Sequence, residues 1–276
     1  TDASISSGTN HPGWGTSCAF ADFDHDGDLD LYVTNYIGWS HETELDCSLM
    51  STGRDYCSPR NYDAAARDVL YENLGDGAFR DVSEASGMHV RNPSTGVPVG
   101  KSLAVAPIDL DRDGAMDLVV ANDTTRNFLY HNQGDGTFKE EAGIRGVAQG
   151  TPMGFGTWMF DYDNDGDLDI MASQYANITG KFRGGFSRFP IEHFVEPVAD
   201  QGAFRPSALY KNDGKGNFSL VKDTGIVSSS VMGAQFVDLE LDGDLDILLG
   251  PGSHSLKNMQ PLFVYRNDGN DKFTNI

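Results

Sequence analysis

Carboxylates at every second position, followed by a glycine, recur along this chain with metal-binding spacing. Asp22, Asp24, Asp26, Gly27, Asp28 and Asp30 set the pattern. Asp109, Asp111, Asp113, Gly114, Ala115 and Asp117 repeat it, as do Asp161, Asp163, Asp165, Gly166, Asp167 and Asp169. The last copy is Asp238, Glu240, Asp242, Gly243, Asp244 and Asp246. Oxygens at loop positions 1, 3 and 5 converge only where the chain turns sharply, and a glycine at position 6 permits the turn. With the position-7 carbonyl and the acid at position 9, each loop offers the oxygen shell that calcium prefers. Magnesium, smaller and stricter about octahedral geometry, fits less well. The expectation is about four structural Ca²⁺ ions, one per loop, with the Glu240 loop the weakest. An EF-hand begins the same way but needs Glu at position 12 and a helix on each side. Position 12 is Val33, Val120, Ala172 or Leu249, and strand-like residues follow each loop, so that reading fails. Acidic turns that are merely solvated are the plain alternative; recurrence with position 9 retained argues against it.

The elements that must position these loops also repeat. A second signature runs from Leu70 to Phe79, Leu129 to Phe138, Leu209 to Phe218 and Val264 to Phe273. It reads as strand, tight turn, strand: Asn, Gly and Asp tolerate the left-handed backbone of hairpins, and the flanking Tyr and Phe suit a half-buried pleated surface. Short apolar runs at Gly15 to Ala21, Gly100 to Ile108, Gly154 to Phe160 and Gly233 to Val237 precede the loops. One unit is therefore four strands, with the acidic loop joining the first to the second. Units of this kind predict an all-β fold, a β-propeller whose blades run about 14–87, 100–145, 153–225 and 231–276. Insertions fall between second and third strands, at about 36–68 and 176–207. First-to-second and second-to-third connections leave opposite faces of such a disc, which puts the loops on one face and the insertions on the other.

The acidic loops followed by Leu-Tyr-x-Asn-x-Gly-Asp-Gly-x-Phe resemble FG-GAP/VCBS repeats, the units of integrin-type propellers. Gly15 to Asn35 with Leu70 to Gly87 resembles, more narrowly, the cartilage acidic protein/UnbV-type group. The resemblance covers all four units and implies a calcium-binding propeller, usually of seven blades. It also implies adhesion or ligand binding as the common role, with lectins and polysaccharide lyases as a minority, so the fold alone does not choose a function. Residues 1–8 read as the end of a preceding blade's fourth strand, and 273–276 as the start of another fourth strand. The expectation is a segment of a longer ring, with a complete four-bladed ring as the rival.

Composition narrows the partners. The formal charge is −21, and four calcium ions would cancel less than half of it, which argues against nucleic acid or an anionic membrane. No apolar run of about 18 residues is present, so no transmembrane segment is expected. Weak calcium sites fill at the millimolar levels found outside cells, and Cys47 and Cys57, ten positions apart in the first insertion, suit a disulfide. Both features point to an extracellular, periplasmic or cell-surface location. Cys18, in a first strand, is expected to be a small buried hydrophobe.

Basic and aromatic residues interleave in the insertions. Trp39, His41, Arg54, Tyr56, Arg60 and Tyr62 in the first, and Arg183, Arg188 and His193 in the second, are candidates for contacting a protein or glycan ligand by stacking and charge-assisted bonds. Packing against the blade and pairing with nearby acids is the plain alternative. A lyase-like reading would assemble His193, Tyr175, Arg183 and Arg188, yet no nucleophile elbow, zinc-protease motif or phosphate loop is present, and an enzyme is the less favoured class. An architectural subunit docking to other chains of an extracellular assembly is the third.

Overall fold

The structure, a computed structural model, describes residues 2–48, 54–55, 57, 61–62, 64–123, 125–148, 156–173, 207–227, 231–252 and 261–276. Four antiparallel sheets follow one another along the described chain. In the first, β1 (Gly15–Ala21) pairs with β2 (Asp30–Asn35), and a small hairpin, β3 (Cys47–Ser48) with β4 (Arg54–Asp55), precedes β5 (Val69–Asn73) and β6 (Phe79–Asp81). The second holds β7 (Ser102–Ile108), β8 (Asp117–Asn122), β9 (Phe128–Asn132) and β10 (Phe138–Glu140). The third holds β11 (Thr157–Phe160), β12 (Asp169–Ala172), β13 (Ala208–Asn212) and β14 (Phe218–Leu220). The fourth holds β15 (Val231–Val237), β16 (Asp246–Pro251), β17 (Phe263–Asn267) and β18 (Phe273–Asn275).

Each sheet is a meander in chain order, and each acidic loop joins its first two strands in one register. Ala21 faces Asp30, Ile108 faces Asp117, Phe160 faces Asp169 and Val237 faces Asp246. The sheets stack through three apolar clusters. Tyr32 and Leu70 meet Leu118 and Tyr130; Val119 and Leu129 meet Ile170 and Tyr210; Met171 and Leu209 meet Ile247 and Tyr265. First strands adjoin first strands, β1 beside β7 and β7 beside β11, with the Thr16 hydroxyl donating to the Ser102 carbonyl at 2.7 Å. The arrangement is propeller-like, and the apolar face of one sheet alone would have little to bury against.

Consecutive sheets are also sewn by their last turns. The N–H groups of Phe138, Phe218 and Phe273 donate to the carbonyls of Ser86, Arg145 and Thr224 at 2.8, 2.7 and 2.7 Å, so the turn ending one sheet caps the last strand of the next. Gly146 sits in this contact with φ of 88°, and a Cβ there would lie 2.0 Å from the Phe218 carbonyl oxygen, so only glycine fits.

Two expectations need correction. Residues 4–7 form a helical turn, α1 (Ser4–Ser7), where a strand end was expected. The Asp2 carboxylate accepts the Ser4 N–H at 2.9 Å and starts the turn. Asp81 does the same for Ser83 at 3.0 Å, and it ends β6 well before Gly87. Cys18 is exposed, not buried. It pairs with Val33 and alternates with Ala19 and Ala21, so it lies, with Phe20, on the sheet face turned away from β7–β10.

Candidate metal centres

Each acidic loop is held shut by its own last carboxylate. Position 9 opens the second strand, and its side chain is buried beneath the loop, as Asp30, Asp117, Asp169 or Asp246. One oxygen accepts the position-2 N–H, from Phe23, Leu110, Tyr162 and Leu239 at 3.0, 3.0, 3.2 and 2.8 Å. The other accepts the N–H of a hairpin asparagine: Asn73, Asn132, Asn212 and Asn267, at 2.8, 2.7, 2.8 and 2.8 Å. Burial raises Asp30, lifts Asp117 to about 6 and lifts Asp169 to about 7, because two donors do not replace the lost water.

The asparagine side chains carry the latch to the neighbouring sheet. Nδ2 of Asn132, Asn212 and Asn267 donates to the carbonyls of Phe23, Leu110 and Tyr162 in the preceding loop, at 2.8, 3.2 and 2.8 Å. The same amide reaches Met116, Leu168 or Leu245 of its own loop, and its oxygen accepts a turn N–H from Gly134, Gly214 or Gly269. Sequence reasoning assigned these asparagines to hairpin turns and missed the latch. Their recurrence two positions after Tyr71, Tyr130, Tyr210 and Tyr265 was the available signal.

Above the latch, carboxylates face one another. Ligand oxygens of Asp22, Asp24 and Asp30 lie within 4.8 Å of each other, as do those of Asp109, Asp111 and Asp117, and of Asp161, Asp163 and Asp169. Oδ2 of Asp22, Asp109 and Asp161 accepts the position-6 N–H at 3.1, 3.1 and 2.9 Å. Oδ1 of each is buried without a hydrogen-bond partner, and so is Oδ1 of Asp111 and of Asp163. Buried acceptors left unmatched beside other anions are costly unless a cation meets them, and an all-oxygen set suits a hard divalent ion. These residues fit calcium: positions 1, 3 and 9 would hold it, and the ion would supply positive charge that no side chain of the trio provides.

Of the four side chains expected to meet the ion, at positions 1, 3, 5 and 9, those at 1, 3 and 9 converge in the first three loops. Asp26, Asp113, Asp165 and Asp242 instead accept the position-7 N–H at 2.9, 2.8, 3.0 and 3.1 Å, closing the turn around the glycine; Asp113 groups with Asp111 and His131. Two position-7 side chains link adjacent loops: Arg112 pairs with Asp167 at 2.5 Å, and Asn164 donates to Asp244 at 2.7 Å. Asp28 and Ala115, the other two, offer their backbone N–H to the turns just described.

The fourth loop differs. Asp238 accepts Gly243 N–H on Oδ2 at 3.0 Å and Asp242 N–H on Oδ1 at 3.1 Å, so neither oxygen is left over. Glu240 lies 3.5 Å from the Arg266 guanidinium. Arg266 belongs to a series that sequence reasoning overlooked, the residue between tyrosine and the latch asparagine. Glu72 in that place is clasped by Arg80 at 2.8 and 2.6 Å. His131 Nε2 is 3.1 Å from Asp111, and Lys211 bonds Asp163 and lies 3.2 Å from Asp165.

The other predicted residues divide sharply. Trp39 stands in an aromatic cluster at the end of the first sheet opposite its acidic loop, beside the start of β1 and the end of β2. Ring centroids of Trp14 and Tyr36 are 5.7 Å apart, of Trp14 and Trp39 6.3 Å, and of Trp39 and His41 5.0 Å. Trp14 is 51% exposed and Trp39 38%. Tyr62 is buried with its hydroxyl on Glu44 at 3.0 Å, a packing role. Cys47 and Cys57 form a disulfide with Cα atoms 5.2 Å apart. Arg54 lies in β4; its side chain, and Tyr56, Arg60, Tyr175, Arg183, Arg188 and His193, lie outside the described residues. No described helix is long and apolar enough to cross a membrane.

Residues 109–172, from the second acidic loop through β12, match the FG-GAP-like repeat. Cartilage acidic protein 1 of Mus musculus and of Homo sapiens are each 30% identical over 173 residues, covering 61% of this chain and 22% of those proteins. The Xenopus tropicalis protein of that name is 37% identical over 84 residues, 30% of this chain and 12% of its own. The chain therefore spans about a fifth of the length of the mammalian relatives it matches. An Agrocybe aegerita lectin that recognises non-reducing terminal N-acetylglucosamine aligns with a TM-score of 0.43 at 18% identity, over 92% of this chain and 49% of that one. The chain carries an FG-GAP-like repeat within a set of four like sheets, and is similar in sequence to cartilage acidic protein 1.

Proposed function

We propose that this chain is a calcium-stabilised propeller segment that serves outside the cytoplasm as a binding or scaffold module for a protein or glycan. The acidic loops are structural on this reading, and further blades complete a ring of seven. The Cys47–Cys57 disulfide favours an oxidising compartment, where millimolar calcium would also fill such loops. Binding belongs to the opposite end, where the first insertion rises. One observation carries that assignment: exposed Trp14, Trp39 and His41 cluster beside half-buried Tyr36, which anchors them through its hydroxyl donating to Asp123 at 2.5 Å. Aromatic rings on a rigid scaffold give large contact area at low entropic cost, as stacking surfaces for sugar rings or protein side chains.

The experiment is a comparison of wild type with a Trp14→Ala/Trp39→Ala double variant on glycan arrays and in pull-downs from extracellular fluid. Retention of a partner is expected to fall at least about tenfold, with the melting temperature within about 2 °C of wild type. A partner captured equally by both proteins would remove this surface from the account.

A further inference from the structure

We infer that Lys211 is a tethered counter-ion of the third acidic loop, which competes with calcium for that loop and holds it closed when calcium is scarce. The inference rests on the reading of the loops as calcium sites, and it concerns only this chain's own residues. Lys211 occupies the hairpin place held by Glu72, His131 and Arg266 in the other sheets, so the comparison is internal. Its ammonium hydrogen-bonds Asp163, one of the converging trio, and lies 3.2 Å from Asp165. Glu72 brings a negative group already neutralised by Arg80, and Arg266 turns mainly to Asp268 at 2.6 Å. His131 approaches Asp111 at 3.1 Å but also Glu141 at 3.3 Å. Lys211 alone of the four places a permanent cation directly on a trio member.

The chemistry follows from charge and reach. An ammonium is a compact cation with three donors on a flexible stem, able to enter a cluster of carboxylates and to leave it. It supplies one positive charge where calcium supplies two, and because it sits on Oδ2 of Asp163, calcium entering at the free Oδ1 of the same carboxylate meets the repulsion of a neighbouring cation unless the ammonium leaves. Third-loop affinity for calcium is therefore lowered by the strength of the ammonium contact. The site in the third sheet is also where such a tether matters most. β12 and β13 are separated by residues 173–207, so bringing β13 back to β12 carries the closure entropy of a long connection. Lys211 lies on β13, and Asp163 on the loop between β11 and β12, so their contact spans that junction without a metal.

Lys211→Met keeps the stem and removes the charge; Lys139→Met, at an exposed position away from the loops, controls for the change in net charge. Glu72→Lys carries the proposed counter-ion into the first loop. The measurements are calcium titration calorimetry on chelator-stripped protein and melting in EDTA. Lys211→Met is expected to tighten one calcium site at least about tenfold, while its melting in EDTA falls by several degrees below that of Lys139→Met. Glu72→Lys is expected to weaken one site by a similar factor. Unchanged affinities, or equal melting of the two methionine variants in EDTA, would overturn the proposal. Wild type that binds no calcium, with Lys211→Met still melting early in EDTA, would refute the calcium reading and leave the counter-ion standing.

Discussion

The first three acidic loops and the fourth have nearly the same sequence and the same backbone, yet only the first three leave buried carboxylate oxygens without a partner. The difference arises where Asp238 turns both oxygens to backbone N–H groups and where Glu240 leans towards Arg266. A metal-binding pattern in sequence is therefore a statement about the turn first. Whether the turn demands a cation depends on how many oxygens the turn itself consumes.

The largest expected effect tests the latch that all four loops share. Asn132→Ala removes three side-chain hydrogen bonds, two of them to buried or partly buried carbonyls, and should cost about 3–4 kcal/mol in urea unfolding. Asn73→Ala lacks a cross-sheet partner for Nδ2 and should cost about 1–2 kcal/mol. Equal costs would mean that the cross-sheet bond contributes nothing.

Asp68 offers the contrast of a buried carboxylate far from any loop. It accepts the Asn35 N–H at 2.7 Å and the hydroxyls of Ser102 and Tyr32 at 2.7 and 3.0 Å, yet burial outweighs them and raises it to about 6. A carboxyl raised in the fold binds its proton more tightly there than in the unfolded chain, so its contribution to stability is largest below about pH 4. It is lost as pH rises from about 4 to 6. The penalty of Asp68→Asn should accordingly be on the order of 3 kcal/mol larger at pH 4 than at pH 7, measured by urea unfolding in EDTA. A penalty independent of pH would contradict the shift.

Substitutions within the loops sharpen the comparison directly. In calcium at about a hundred times its dissociation constant, Asp22→Asn should lose the roughly 2.7 kcal/mol that one bound ion contributes, whereas Asp238→Asn should cost about 1 kcal/mol or less. Similar losses would make the four loops equivalent after all. The smallest effect concerns Leu241, which holds φ of 62° while 86% exposed, at the position taken by His25, Arg112 and Asn164 in the other loops. Leu241→Asn should raise stability by about 1 kcal/mol, seen as a higher melting temperature.

Much of this was legible in the sequence, and for physical reasons. A short apolar run ahead of the acidic loop placed β1 at Gly15–Ala21, and the repeated turn residues placed the hairpins after Tyr71, Tyr130, Tyr210 and Tyr265. The Cys47–Cys57 bridge was readable because two cysteines ten positions apart sit in an insertion with little core of its own. What escaped depends on contacts between sheets. Whether Cys18 is covered depends on the neighbouring sheet, and the double use of Asp30 or Asp117, as latch and as member of the converging trio, depends on asparagines 15 to 43 residues away. Positions 5 and 9 read alike because both are aspartates, and only the fold tells that position 5 closes the turn while position 9 joins 1 and 3.

The most direct test of the central claim is a calcium titration of chelator-stripped protein, read by calorimetry and by melting. Three or more sites are expected to saturate in the millimolar range or below, raising the melting temperature by more than about 10 °C. No heat of binding, and identical melting in EDTA and in millimolar calcium, would contradict the account.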